Sequence, residues 1–177
     1  YKVIYFKDCI DEFMMQRVLN YKNNEFINIG KEHEYPWEEN DEKKESDLEL
    51  YIKDVLSKVC IERVELYESK NVEDIGYIVS SKFGMTGNMR NILKSQPLGE
   101  QTSWSEGSQI FRLNKNHTIM EKIDSSYHKK ENKDEKDHEM KDLIMNIYEC
   151  CLLNSGYNIE NPNEFSRRYI KLITKVL

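Results

Sequence analysis

The last forty residues, from His138 onward, constrain this chain most. Met140, Leu143, Ile144, Ile147, Tyr148, Cys151 and Leu152 recur at three- and four-residue spacing, which places them on one face of a helix. Gly156 supplies the left-handed residue that ends such a helix, with apolar Tyr157 behind it. A second helix then has a clear start. Asn161 caps it, Pro162 suits its first position, and Glu164 sits where a capping-box acid reaches back. Its stripe is Phe165, Tyr169, Leu172, Ile173 and Val176. Leu153 and Ile170 lie beside the two stripes. A two-helix hairpin cannot bury that much apolar surface alone. It needs the rest of its own domain, or a second copy of itself, which by two-fold symmetry makes a four-helix bundle. Periodicity leaves both open, because it does not say what a face meets. Leu143, Ile147, Tyr148, Cys151, Leu152, Phe165, Tyr169, Leu172, Ile173 and Val176 are therefore the interface candidates, divided between a partner and the domain's own core. The later helix, being terminal, is expected to carry the interface.

A length of 177 residues suits one domain, or one domain and a fragment. The chain starts inside a strand-like run, YKVIYF, and reads as a piece of a longer protein. No apolar run approaches a membrane span and the first residues are no signal peptide. The net charge of −6 and the lack of a basic face argue against nucleic acid as partner. Cys9, Cys60, Cys150 and Cys151 have no metal-type spacing, so free thiols in a reducing compartment are expected, and no metal site.

Taken in order, residues 1–30 read as the end of an α/β unit. It has a strand at 2–6, a helix carrying Ile10, Phe13, Met14, Val18 and Tyr21 behind a cap at Asp8, and a strand at 25–29. Residues 31–46, KEHEYPWEENDEKKES, read as an acidic linker. Residues 47–177 form the second unit. A helix with the stripe Leu48, Tyr51, Ile52, Val55, Leu56 and Val59 comes first. Strands at 61–68 and 75–82 follow, expected to be antiparallel to each other. Thr86 caps a helix that runs to Pro97. Residues 97–117 are irregular, polar and glycine-containing, with a third strand possible at 111–114. Leu98, Trp104, Ile110 and Phe111 in that stretch either fold back on the core or stand exposed to bind apolar segments of other proteins. The second reading makes Trp104, Ile110 and Phe111 the binding candidates. A helix from 118 then dissolves into the charged run HKKENKDEKD, a solvated stretch. The fold class is α+β: a small mixed sheet with flanking helices and a C-terminal helical hairpin.

Catalytic chemistry is absent from this pattern. GMTGNM has two glycines but neither the lysine of a phosphate loop nor the G-x-G-x-x-G spacing. No nucleophile, base and acid can be grouped, so no catalytic or cofactor-binding residue is assigned.

Three blocks carry a family resemblance. The first is Lys141-Asp142-Leu143, Tyr148-Glu149, Leu152-Leu153-Asn154-Ser155-Gly156-Tyr157 and Pro162. It resembles the end of the heat-shock protein 90 chaperones, approximately K-D-L, Y-E-x-A-L-L-x-S-G-F, D-P. The second, Phe83 to Gln96, FGMTGNMRNILKSQ, is similar to that family's Y-G-W-T-A-N-M-E-R-I-M-K-A-Q. The third, Val3-Ile4-Tyr5-Phe6 with Ile10-Asp11-Glu12-Phe13, resembles V-I-Y-M and I-D-E-Y. Met85 stands for the family's aromatic residue, Cys9 for a proline and Asn161 for an aspartate. The resemblance implies the tail of a middle domain at 1–30 and a C-terminal dimerisation domain at 47–177, whose hairpin forms a dimeric four-helix bundle. It implies a homodimer that binds client proteins and co-chaperones. It also implies a parent ATPase whose ATP and Mg sites lie upstream, so that this part holds no cofactor and is no enzyme. Its wording at Leu98-Gly99-Glu100 and Thr102-Ser103 looks like organellar, plastid-type members, which leaves an intracellular organelle or the cytoplasm as the compartment. A non-chaperone adaptor that dimerises through the same hairpin is the alternative.

Overall fold

The computed structural model describes residues 2–6, 8–33, 45–82, 84–95, 108–128 and 134–176. In chain order these give α1 (Cys9–Met15), β1 (Asn20–Tyr21), β2 (Asn24–Glu25), α2 (Asp47–Val55), β3 (Ile61–Tyr67), β4 (Gly76–Ser80), α3 (Gly87–Lys94), β5 (Gln109–Asn114), α4 (Thr118–His128), α5 (Asp134–Asn154) and α6 (Pro162–Val176). The fold is α+β, as expected.

The main sheet has the order β3-β5-β4, with β5 parallel to β3 and antiparallel to β4. β3 and β4 run antiparallel, as expected, and β5 lies between them. Its physical claim on the centre is burial: every residue of β5 except Arg112 is buried, whereas β3 carries Glu62, Arg63 and Glu65 and takes an edge. The sheet's inner face presents Val64, Ile78, Phe111 and Leu113. Against it pack Leu48, Ile52 and Leu56 of α2, Met120 and Ile123 of α4, and Ile144, Ile147, Tyr148, Cys151 and Leu152 of α5. Each such side chain removed from water stabilises the fold by about 1.5–3 kcal/mol before entropy is counted.

Local chemistry sets α2 on the sheet. Ser46 Oγ accepts from Glu49 N at 3.3 Å while Ser46 N donates to Glu49 Oε2 at 2.6 Å, a complete capping box. The other oxygen, Glu49 Oε1, accepts from Leu66 N on β3 at 2.7 Å, so the cap also ties the helix to the sheet.

The first residues depart from expectation. Residues 2–6 form no strand, because no neighbouring strand meets them among the described residues. Ladder bonds need a partner, whatever the propensity. The helix stops at Met15, since Asn20 and Tyr21 turn into a hairpin with β2 through Lys22 (φ 48°) and Asn23 (φ 62°). Thr86 takes the N-cap position of α3, as expected, but its side chain makes no cap bond. Its hydroxyl donates to Glu12 Oε1 on α1 instead. Residues 30–32 lie along β4 at Ser80.

Candidate functional site

The C-terminal hairpin is built largely as its sequence dictates. Tyr157 N donates to Leu152 O at 2.9 Å and Gly156 takes φ +80°, a helix stop that a side chain would strain. Asn161 Oδ1 accepts from Glu164 N at 3.2 Å, the expected cap of α6. Gly87, at the start of α3, packs against this turn, and Asn91 Nδ2 donates to Gly156 O at 3.0 Å.

The two helices then divide the candidate residues. On α5, Ile147, Tyr148, Cys151 and Leu152 are buried in the chain's own core, with Leu143 half-buried beside them. Tyr148 meets Phe111 edge-on at 5.6 Å, and its hydroxyl donates to Gln109 Oε1 at 2.9 Å. On α6, Phe165 and Leu172 are half-buried, while Tyr169 and Ile173 are 49% and 44% exposed. Ile170 is 62% exposed, and Leu153 at the end of α5 is 49% exposed. Val176 is the last residue of α6.

The seam between α5 and α6 is charged. Arg168 bonds Glu149, which is only 7% exposed, and Lys171 Nζ lies 3.0 Å from Asp142 Oδ2. Arg168 Nη1 is also 3.7 Å from Glu164 Oε2. Asn146 is buried on α5 with neither amide atom bonded, and Arg168 Nε is likewise unmet. So α6 turns Arg168 and Lys171 toward α5 and leaves Tyr169, Ile170 and Ile173 exposed.

The client-binding candidates fare differently. Trp104 lies outside the described residues. Ile110 and Phe111 are both 0% exposed in β5, so the reading that exposes them is corrected: both faces of the central strand are covered, and these side chains are core. The polar composition of the flanking loop hid a strand that begins at Gln109.

Of the cysteines, Cys151 is buried, and burial with the neighbouring Cys150 pushes its thiol up to about 12. Burial raises Cys150 as well, and Cys60 is exposed. Among the described residues no group of three or more metal-binding side chains occurs, and no helix is long and apolar enough to cross a membrane. Sequence reasoning missed the Tyr148–Gln109 bond and the Arg168–Glu149 pair. Their partners are 39 and 19 residues apart, with no local pattern to join them.

Comparison with known proteins agrees with the fold. The chain is 27% identical over 174 residues to an endoplasmin homolog of Arabidopsis thaliana, covering 95% of this chain and 20% of that protein. It is 28% identical over 183 residues to the putative heat shock protein HSP 90-beta-3 of Homo sapiens, covering 98% and 30%. It is 26% identical over 175 residues to the chaperone protein HtpG of Clostridium acetobutylicum, covering 98% and 27%. The chain thus spans a fifth to about a third of the length of these relatives. The family model described as Hsp90 protein matches residues 1–177. From end to end, this chain belongs to the Hsp90 family of chaperones.

Proposed function

We propose that this chain is the dimerising C-terminal part of an ATP-dependent chaperone. The observation that carries the reading is the outward apolar face of α6: Tyr169, Ile170 and Ile173. A second copy covers that face by two-fold symmetry, α6 against α6, and the two hairpins make a four-helix bundle. A stable interface of this type buries about 1,200–2,000 Å² in total. The α5 candidates serve the domain's own core and contribute by holding α6 in place.

Sedimentation at tens of micromolar tests this. The unchanged chain is expected to run as a dimer. Ile173→Asp puts one charge into each symmetry-related site, a cost of several kcal/mol apiece, and gives a monomer with its helical signal intact. A single 21.2 kDa species for the unchanged chain refutes the reading. Leu172 is the weaker probe, because it faces the seam and its replacement disturbs the monomer too.

Client contact rests on Trp104, an aromatic in a polar loop. Trp104→Ala is expected to weaken capture of an unfolded polypeptide by the dimer, and unchanged capture removes the role. ATP and Mg belong to the longer parent, whose compartment, by its relatives' names, is an organelle or the cytoplasm. This chain alone is expected to show no saturable ATP binding in calorimetry; a micromolar constant, about −8 kcal/mol, refutes that.

A further inference from the structure

The open edge of the sheet is met by a short piece of chain. Ser80 ends β4, an edge strand, and its outward backbone groups are taken by residues 30–32. Ser80 N donates to Gly30 O at 3.0 Å, and Glu32 N donates to Ser80 O at 2.7 Å. Ser80 Oγ lies 3.3 Å from the same Gly30 O. Glu32 then sets its carboxylate on Arg63 Nη2, on the far strand β3.

Arg63, Ile110 and Val79 form one cross-strand row. The strap is fastened to the β4 edge at Ser80 by its backbone and to Arg63 by the Glu32 carboxylate. Ile110 is 0% exposed and Val79 is 2% exposed. Arg63 Nε and Nη1 are committed to Glu65 Oε1 at 2.7 Å and Glu62 Oε1 at 3.4 Å, which leaves Nη2 as the arm that takes Glu32. Glu65 is shared with Arg112 Nε at 2.7 Å, which fixes the ladder across the sheet.

The strap is held the way an extended ligand is held: main-chain bonds to an open strand edge and one carboxylate on an arginine. Its grip is weak. Glu32 and Arg63 side chains are about equally exposed, 29% and 28%, and such a pair is screened by salt. Ile29, the apolar residue next to it, is 77% exposed and anchors nothing.

We infer that the Ser80 edge of β4 and Arg63 form a site for an extended polypeptide segment carrying an acidic residue, and that residues 30–32 occupy it in cis. A segment of that chemistry from another protein enters by displacing the strap. The inference stands apart from dimerisation and from Trp104.

A labelled peptide with the sequence of residues 28–34, NIGKEHE, is titrated into the full chain and into Glu32→Ala, with hydrogen exchange followed at the Ser80 amide. In Glu32→Ala, exchange at Ser80 is expected to quicken about tenfold and the peptide to bind at least about tenfold more tightly than to the unchanged chain. A peptide with arginine in place of its first glutamate should fail on Glu32→Ala and bind Glu32→Ala/Arg63→Glu. Unchanged exchange overturns the strap. Faster exchange without peptide binding overturns the site. If the double variant does not fold, the Glu32→Ala arms still decide the matter.

Discussion

The Tyr148 hydroxyl is the smallest change that tests how α5 is seated on the sheet. It donates to Gln109 Oε1 at 2.9 Å, with the two residues 4% and 2% exposed. Tyr148→Phe removes the hydroxyl and keeps the ring edge-on to Phe111, so little cavity forms. The effect is then a buried acceptor left without its donor, which costs about 1–3 kcal/mol. For a chain of this size that lowers Tm by about 2–4 °C per kcal/mol, or about 3–9 °C in the middle of the range. Removing both partners is close to neutral. Adding Gln109→Met to Tyr148→Phe should therefore restore most of the loss, and the cycle should show coupling of about 1–2 kcal/mol. Alkaline pH gives a second readout. Burial first, and then Glu160, raise the Tyr148 phenol above its ordinary range. A folded pKa above the unfolded one means the contribution is whole below about pH 10 and is lost as pH rises toward the folded value. The stability gap between the unchanged chain and Tyr148→Phe should thus narrow above pH 10. Tyr51 and Tyr67, both raised to about 12, are present in both proteins and cancel in the difference. Calorimetry at fixed protein concentration measures all of this. An unchanged Tm for Tyr148→Phe at pH 7, or a cycle without coupling, refutes the seating.

Arg168→Met leaves Glu149 buried beside no cation and should cost about 3 kcal/mol in urea denaturation, the low end for a pair that is not fully buried. Arg168→Met/Glu149→Met should recover most of it, and a double variant worse than the single one refutes the account. Gly87→Ala places a Cβ 2.4 Å from Gly156 O and 2.7 Å from Tyr157 N, both backbone, so a loss of about 1–3 kcal/mol is expected; wild-type stability there would mean that α3 does not abut the hairpin turn. At pH 8, iodoacetamide should label exposed Cys60 in the native protein and Cys151 only after denaturant is added, because burial keeps the Cys151 thiol protonated. Peptide mass mapping checks this, and equal native labelling of both refutes the burial.

The hairpin was legible because its cues are local. A cap at Asn161, a left-handed stop at Gly156 and a 3.6-residue period each act within one or two turns of helix. The strand order was not. β3 and β4 both look like strands, but the insertion of β5 between them depends on pairings 29 to 48 residues apart. The same range effect misled at Ile110 and Phe111. Their polar surroundings suggested an exposed loop, and only the burial of β5 on both faces overrides that. At residues 2–6 the error ran the other way: strand propensity was read as a strand where, among the described residues, no partner strand lies alongside.

The face of α6 shows most clearly what a period does and does not say. The stripe Phe165, Tyr169, Leu172, Ile173 and Val176 was legible, and the terminal helix was expected to carry the interface, but the period left open which residues meet a partner and which the core. Two ion pairs bear on that division. Arg168 reaches Glu149 and Lys171 reaches Asp142, both on α5. Positions 168 and 171 are one turn apart on one side of the helix, so fixing them fixes the rotation of α6. Phe165 and Leu172 share that side and stay half-buried in the seam. Tyr169, Ile170 and Ile173 lie further round the helix from Arg168 and Lys171 and stay 44–62% exposed. Breaking the seam to turn them inward would strand Glu149 without its cation, and a buried lone carboxylate costs more than three half-exposed apolar groups. The charges of the seam thus hold the apolar face out, where a second chain can cover it.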